Sequence, residues 1–280
     1  MGFFHIYYKY LSSNNMKKII PLFLLSITFN LYAQIDTMKD YKYKTIVISD
    51  VHLGLKDSKS EECIEFLKNN RCKNLFLDGD IIDGWQLSRG GKWRKKDSNF
   101  IKQVLKLSNN GTNVVYLRGN HDDFLETFIP FVIGYNFEVL NDYVYESFGK
   151  KYLIMHGDVF DPITTQATWL AKLGSVGYDI LLFLNRHHNR RRLQQGLPYK
   201  SISHDIKKNV KFVVNLLSRF EDAAVAYAKQ KKCDGIICGH IHTPEDKMIN
   251  GIHYLNSGDW VETKSALVED LEGNWKIIYY

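Results

Sequence analysis

Five separate stretches of the chain share one design, in which a short apolar run ends in aspartate, asparagine or histidine. Such apolar runs are typical of buried strands, and helical patterns alternate with the first three of them. Strands that alternate with helices favour a parallel or mixed sheet that is covered on its faces. We therefore expect the five polar tips to converge beyond the strand ends. The stretches are residues 46–54, 75–80, 114–122, 152–158 and 235–242.

The polar tips predict a site for two metal ions. Asp50 and His52 are two positions apart, as are His240 and His242, and alternate residues of an extended chain point in the same direction. Oxygen ligands mixed with imidazole suit Mn²⁺, Fe²⁺ or Zn²⁺ better than Ca²⁺. Asp80 is expected to bridge the ions, because a carboxylate has two oxygens for two metals. The remaining predicted ligands are Asp50, His52 and His242 for one ion, and Asn120, His156 and His240 for the other.

The expected charge of this site favours a phosphate ester or a diphosphate as the substrate. With two divalent ions, two carboxylates and a bridging hydroxide, about one positive charge remains. Two metals can hold a nucleophile and stabilise an in-line displacement. The departing oxygen still needs an acid. His121 is expected to supply the proton, and Asp122 to orient His121, while Asp83 is given a supporting or structural role.

Composition is that of an ordinary globular chain. The 280 residues suggest one large α/β domain or a domain with an insertion. A formal net charge of +6 is small for this length, so the position of the cations matters more than their total, and nucleic acid is not an expected partner. The four cysteines have no C-x-x-C spacing, which favours free, reduced thiols.

Residues 1–40 are predicted to be an extension that precedes a domain at residues 41–280. Within the extension, residues 16–33 combine a short basic segment with an apolar run, as a secretory signal does. At about 15 residues, the apolar run is shorter than the ~20 needed to span a bilayer. The alternative is that translation starts at Met38 instead of Met1 or Met16. Whether the protein is exported or cytoplasmic depends on which of these two interpretations is correct.

The strand pattern stops at residues 161–229 and gives way to helical spacing. We interpret this stretch as a helical insertion that lies over the site as a lid. The alternative is a set of core-facing helices with a solvated basic loop. Apolar helices next to the arginines at 186 and 190–192 would suit acyl chains, anionic headgroups and peripheral membrane contact. The predicted substrate contacts are Trp85, Arg89, Asp161 and Arg186.

Several of these segments resemble the calcineurin-like metallophosphoesterases. The segments stand in the family's order along about residues 43–280. They are Asp50-Val51-His52, Gly79-Asp80-Ile81-Ile82-Asp83, Gly119-Asn120-His121-Asp122, His156 and Gly239-His240-Ile241-His242. The resemblance implies a four-layer α/β/β/α sandwich with the ligand set given above.

A narrower resemblance connects residues 78–85, 156–161 and 256–262 to the UDP-2,3-diacylglucosamine diphosphatase group of lipid A biosynthesis. It implies hydrolysis of a nucleotide-lipid to UMP and 2,3-diacylglucosamine 1-phosphate, usually with Mn²⁺, at the cytoplasmic face of the inner membrane. The best-established branch of that group has arginine where this chain has His121, and histidine there matches the wider family.

Two other functions stay open at this point. One is a phosphodiesterase or phosphomonoesterase that acts on a soluble substrate. The other is a basic membrane- or nucleic-acid-binding module whose metals serve only structure, although structural sites are usually closed. No oligomeric state is predicted.

Overall fold

The computed structural model describes residues 41–134, 136–160 and 203–280, and for residues 203–216 it describes the backbone alone. The predicted N-terminal extension and residues 161–202, which include Asp161 and Arg186, lie outside these ranges. The described strands are β1 (Tyr43–Ile48), β2 (Cys72–Asp78), β3 (Asn113–Leu117), β4 (Phe131–Val132), β5 (Phe137–Leu140), β6 (Tyr143–Ser147), β7 (Lys150–Ile154), β8 (Gly235–Cys238), β9 (Glu245–Ile249), β10 (Ile252–Asn256), β11 (Ser265–Glu269) and β12 (Trp275–Tyr279). The described helices are α1 (Ser60–Asn69), α2 (Gly84–Ser88), α3 (Lys95–Asn109) and α4 (Ser203–Gln230), with 3₁₀ helices at Asp123–Phe128 and Asp158–Phe160.

The strands form two mixed sheets. The first sheet has the order β12-β11-β1-β2-β3-β5-β4, and the second has the order β6-β7-β8-β10-β9. Strands β1, β2, β3 and β5 run parallel, as do β7, β8 and β10. Antiparallel strands lie at the edges of both sheets. The carboxyl ends of the parallel strands are the ends that carry the polar tips.

Side chains on successive positions of β1 enter different cores, as the pleat of a strand requires. Ile46 and Ile48 belong to a core with α1 and α3, whereas Val47 belongs to a core shared with the second sheet. On the far side of the second sheet, Phe220 and Ala224 of α4 form a third core with its strands. The layers therefore run helix, sheet, sheet, helix, which confirms the predicted α/β/β/α sandwich.

Helix α4 contains the longer of the two helical patterns in the predicted insertion. From about residue 217 its apolar side chains cover the second sheet, where they bury Ile236 and Tyr254. This part of the helix is a layer of the core and not a lid, because without it that face of the sheet would be exposed to water. The core-facing alternative therefore holds here. No helix in the described ranges is both long and apolar enough to cross a bilayer.

The buried face of α1 should dominate its contribution to stability. Leu67 of α1 is fully buried, whereas Leu105 of α3 is 36% exposed. We expect Leu67→Ala to lower the free energy of unfolding by about 2–5 kcal/mol through lost burial and a residual cavity. The matched change Leu105→Ala should cost less than about 1 kcal/mol. Chemical denaturation followed by circular dichroism measures both, and equal losses would contradict the assigned packing.

Candidate metal centre

The polar tips of five strands meet in one buried group of side chains between the two sheets. Three groups of side chains within it have ligand atoms that lie within 4.8 Å of one another. One of them, His52 with Asp83 and His121, shares His52 with the first of the two clusters considered as cation sites. The first cluster is Asp50, His52 and His242, and the second is Asp80, His156 and His240. These are the two sets proposed from the sequence, with Asp80 brought next to the second. Asn120 follows Gly119, whose backbone packs directly against Asp80.

Asp80 links the two clusters through a single oxygen. Its Oδ2 lies 3.3 Å from His156 Nε2 and 3.9 Å from His52 Nε2. Its Oδ1 accepts a hydrogen bond from the backbone amide of His121 at 2.8 Å. The sequence argument assigned one oxygen to each ion, and in the structure Oδ1 also accepts the backbone hydrogen bond from His121. Oδ2 is the oxygen that faces both clusters.

Asp50 divides its oxygens in the same way. Its Oδ2 accepts from the backbone amide of His240 at 3.0 Å. Its Oδ1 faces the cluster, 3.0 Å from His242 Nε2 and 3.8 Å from His52 Nε2. Each buried carboxylate thus fixes a distant loop with one oxygen and presents the other to the site.

Five of the seven predicted ligand residues have left-handed backbone just beyond their strands. The φ angles are 53° at Asp50, 49° at His52, 52° at Asp80, 66° at His240 and 53° at His242. Such angles are uncommon for residues other than glycine and cost about 1–3 kcal/mol each. The explanation by alternation along an extended chain is therefore wrong. The pairs converge because β1 ends at Ile48 and β8 at Cys238, and the chain then turns.

Two glycines permit the close approach of these loops. A Cβ at Gly239 would lie 2.5 Å from Ser49 Oγ and 2.6 Å from Asp50 Oδ2. A Cβ at Gly119 would overlap the carboxylate and backbone of Asp80. Glycine is therefore required before Asn120 and before His240, because any larger residue would push the ligand loops apart.

Hydrogen bonds fix which nitrogen of the buried imidazoles faces the clusters. His156 Nδ1 donates to the backbone carbonyl of Asp78 at 2.8 Å, so Nε2 is the nitrogen that faces Asp80. His52 Nδ1 lies 3.3 Å from Asp83 Oδ2, and its Nε2 likewise faces the aspartates. Partners of this kind are the usual means of orienting metal-binding histidines.

The partner of His121 is Asp83 and not Asp122. His121 Nδ1 lies 2.9 Å from Asp83 Oδ1, and its Nε2 lies 3.9 Å from Asp80 Oδ2. Asp122, expected to orient His121, instead accepts from the backbone amides of Ile81 at 3.0 Å and Ile82 at 2.7 Å. It points away from its neighbour in sequence, and its carboxylate supports the loop that carries Asp80. The G-D-x-x-D spacing was the sequence signal for Asp83.

Charges in the site are balanced by pairing. Burial would raise the pKa values of Asp50 and Asp80, but nearby imidazoles, above all His242 for Asp50 and His156 for Asp80, outweigh it and hold both well below the usual range. Burial would likewise lower the pKa of His156, but Asp80 and Asp50 raise it instead. Burial and the charge of Asp80 raise the pKa of Asp122 to about 7. The lowered pKa values favour the ionised form of both ligand carboxylates.

Several buried polar atoms at the centre are suited to a cation. Asp50 Oδ1, His52 Nε2, Asn120 Oδ1 and His156 Nε2 are buried without a hydrogen-bond partner, and buried polar atoms normally have one. Carboxylate, amide and imidazole donors together match the ligand preferences of Mn²⁺, Fe²⁺ and Zn²⁺. The residues present therefore fit two divalent ions.

The described substrate-contact candidates lie beside His121. The Trp85 ring packs on the His121 ring with centroids 4.4 Å apart, and it remains 40% exposed. Arg89 is exposed at the end of α2, four residues farther on. Asp161 and Arg186 lie outside the described residues, so their predicted roles stay predictions.

Comparison with known proteins assigns the family. A family model described as Calcineurin-like phosphoesterase matches residues 43–244. The chain belongs to the calcineurin-like phosphoesterases. This agrees with the resemblance seen in the sequence motifs and with the two-sheet sandwich.

Curated relatives of this calcineurin-like phosphoesterase match only part of it. UDP-2,3-diacylglucosamine hydrolase of Neisseria gonorrhoeae is 30% identical over 122 residues, which cover 40% of this chain and 47% of that protein. The protein of that name from Blochmanniella pennsylvanica is 27% identical over 117 residues, which cover 41% and 46%. The chain spans about half the length of the curated relatives that it matches. Among solved structures, an archaeal phosphodiesterase has a TM-score of 0.42 at 12% identity and covers 84% of this chain and 99% of its own.

The double contact of Asp83 predicts a large effect of a small change. Asp83→Asn keeps the size of the side chain but weakens its hold on His52 and His121. We expect kcat on an aryl phosphodiester to fall about 10–100-fold, as for other residues that orient ligands. Asp142→Asn, at an exposed position, is the matched control and should leave kcat unchanged. A fully active Asp83→Asn protein would refute this assignment.

Proton release on metal binding follows from the raised pKa of His156. A raised pKa means that His156 carries a proton at neutral pH before metal binds, and a metal needs the neutral imidazole. We expect Mn²⁺ binding to release protons and its apparent affinity to fall as the pH is lowered. Calorimetry in two buffers of different ionisation enthalpy measures the release. His156→Gln should reduce it, whereas the distant His253→Gln should not, and an absence of release in the unchanged protein would contradict the prediction.

Proposed function

We propose that the chain is a metal-dependent hydrolase of a nucleotide-lipid diphosphate, with UDP-2,3-diacylglucosamine as its substrate. The products would be UMP and 2,3-diacylglucosamine 1-phosphate. The observation that carries the hydrolase assignment is the position of Asp80 Oδ2 between two ligand clusters, with His121 Nε2 3.9 Å away. Family membership supports phosphoester chemistry, and the names of the curated relatives support the choice of substrate.

Seven side chains would hold the metals. Asp50, His52 and His242 would bind one ion, Asn120, His156 and His240 would bind the other, and Asp80 would be shared. Divalent ions bound here would supply Lewis acidity toward phosphate oxygens and would lower the pKa of a water molecule. Mn²⁺ is the proposed metal, with Fe²⁺ and Zn²⁺ as alternatives allowed by the donor set.

His121 is the proposed acid. Asp83 accepts from its Nδ1 and keeps Nε2 directed toward the clusters. In the imidazolium form, His121 would give the Nε2 proton to the oxygen of the breaking P–O–P bond while water adds to the other phosphorus. Trp85 restrains the ring from one side. Each product would then leave with one phosphate.

The proposed location is the cytoplasmic face of the inner membrane, with peripheral contact. A diacylated substrate resides in a bilayer, so an enzyme that acts on it needs access to the membrane surface. Export remains the alternative if residues 16–33 act as a signal peptide.

A phosphodiesterase or phosphomonoesterase acting on soluble substrates is the second candidate function. The observation that favours it is His121, which matches the wider family where the established diphosphatase branch has arginine. Under this alternative the metal clusters and the acid keep their roles, and only the substrate contacts differ.

Turnover by purified protein tests the choice between the two. The full chain with Mn²⁺ is incubated with UDP-2,3-diacylglucosamine and, separately, with an aryl phosphodiester, and products are identified by mass spectrometry. We expect UMP and 2,3-diacylglucosamine 1-phosphate at a rate well above that of aryl phosphodiester cleavage. Cleavage of the aryl ester alone would favour the soluble-substrate alternative.

Single substitutions test the metal cluster in the same assay. Asp80→Ala and Asn120→Ala should reduce turnover at least about 100-fold, because each removes a proposed metal ligand. Asp142→Ala at an exposed position serves as the control and should retain activity. Circular dichroism shows whether the variants are folded. Full activity in either ligand variant would overturn the proposed chemistry.

A further inference from the structure

Two stretches beside His121 expose an unusual combination of side chains. Residues 84–96 run from α2 to the start of α3, and residues 124–133 run from the 3₁₀ helix to β4. Together we call these stretches the aromatic–basic face. None of its members is a ligand in the metal clusters.

The second stretch presents large apolar side chains to solvent. Leu125 and Ile129 pack against the core between the first sheet and its helices and so anchor the segment. Large apolar side chains before, between and after these two residues are exposed. Their exposed fractions are 45% for Phe124, 62% for Phe128, 47% for Phe131, 58% for Val132 and 41% for Ile133. So dense an exposed apolar run marks an interaction surface more often than ordinary solvated surface.

The first stretch supplies cations and interfacial aromatics. Trp85 and Trp93 are 40% and 43% exposed. Glu126 is the one acidic residue within these two stretches. The exposed cations are Arg89, Lys92 and Lys95. Arg94 and Lys96 are half-buried and donate to backbone carbonyls of Gly54, Lys56 and Ser58. Tryptophan together with lysine and arginine is the composition found where proteins meet the headgroup region of a bilayer.

Contacts at the base of α2 place the two stretches side by side. The Gly84 amide donates to the carbonyl of His121 at 3.0 Å, and Trp85 Nε1 donates to Asp123 Oδ2 at 3.4 Å. A side chain at Gly84 would meet the Phe124 ring. The beginnings of the two stretches are therefore in contact with each other next to His121.

We propose that the aromatic–basic face docks on an anionic lipid bilayer. The exposed apolar side chains of residues 124–133 insert at the boundary between the lipid headgroups and the acyl chains. The exposed cations of residues 84–96 bind lipid phosphates. The excess of cations argues for an anionic bilayer as the occupant, since a second copy of this chain would bring like charges together. Docking in this way holds His121 at the membrane surface. The purpose of this docking rests on the proposed function, because only an enzyme with a lipid-borne substrate needs to be held at the membrane.

Vesicle binding by the full chain tests this surface. Sedimentation with vesicles of phosphatidylcholine plus phosphatidylglycerol gives the dissociation constant, and pure phosphatidylcholine vesicles give the neutral comparison. We expect Phe128→Ser/Val132→Ser and, separately, Lys92→Gln/Lys95→Gln to weaken binding roughly tenfold or more. High salt should weaken binding of the unchanged chain but have less effect on the lysine variant. Met248→Ser, 64% exposed on β9, is the matched control and should bind normally.

Hydrolysis of a soluble aryl phosphodiester is measured on the same variants. It should be unchanged, since none of the substituted residues belongs to the proposed catalytic or binding machinery. Vesicle binding that is equal in all variants would overturn the docking proposal. So would variants that alter self-association in sedimentation velocity while vesicle binding stays intact. Vesicle binding that follows the face, without cleavage of the nucleotide-lipid, would support the docking proposal and count against the proposed function alone.

Discussion

The division of oxygens on two buried carboxylates determines how the site is assembled. Asp50 and Asp80 each accept one hydrogen bond from a backbone amide, from His240 and His121 respectively, and direct the other oxygen inward. A buried carboxylate is costly unless its charge is compensated. Here the compensation comes from amides of loops far away in sequence, from imidazoles and, when bound, from cations. The same contacts that neutralise the carboxylates therefore bring the tips of both sheets together.

The left-handed ligand residues are held in place by bonds between neighbouring tips. The amides of Asp50 and His52 donate to the carbonyls of Gly79 and Asp80 at 3.0 and 2.9 Å. On the other sheet, Asn256 Nδ2 donates to the carbonyl of Gly239 at 2.7 Å. Ser49 and Ser257 then join β1 to the end of β10 through a 2.6 Å hydroxyl contact. A strained backbone persists only where the surroundings enforce it, and these contacts come from a scaffold that is rigid on both sides.

Sequence patterns predicted the buried strands of the C-terminal third and missed the charged edge strand among them. The apolar runs 235–238, 252–256 and 265–269 coincide with β8, β10 and β11, because a strand buried along nearly its whole length has little choice of residue. The run 275–279 coincides with the edge strand β12. Strand β9 was not predicted, because it is an edge strand with charged residues in which half-buried and exposed positions alternate. The ligand set could be proposed from strand tips. The carboxylate that contacts His121 could not be predicted, because Asp122 is adjacent along the chain whereas Asp83 is adjacent in space.

The aspartates around the centre carry different charges because their surroundings differ. Burial would raise the pKa of Asp83, but hydrogen bonds from His121 and His52 outweigh it and hold it low. Asp78 offers only its backbone carbonyl to His156, and burial raises the pKa of its carboxyl well above the usual range. Burial therefore favours the neutral form of the Asp78 carboxyl. A further ionised carboxylate at that depth would offset the cations and repel a phosphate, so a site that binds phosphoesters benefits from keeping Asp78 protonated.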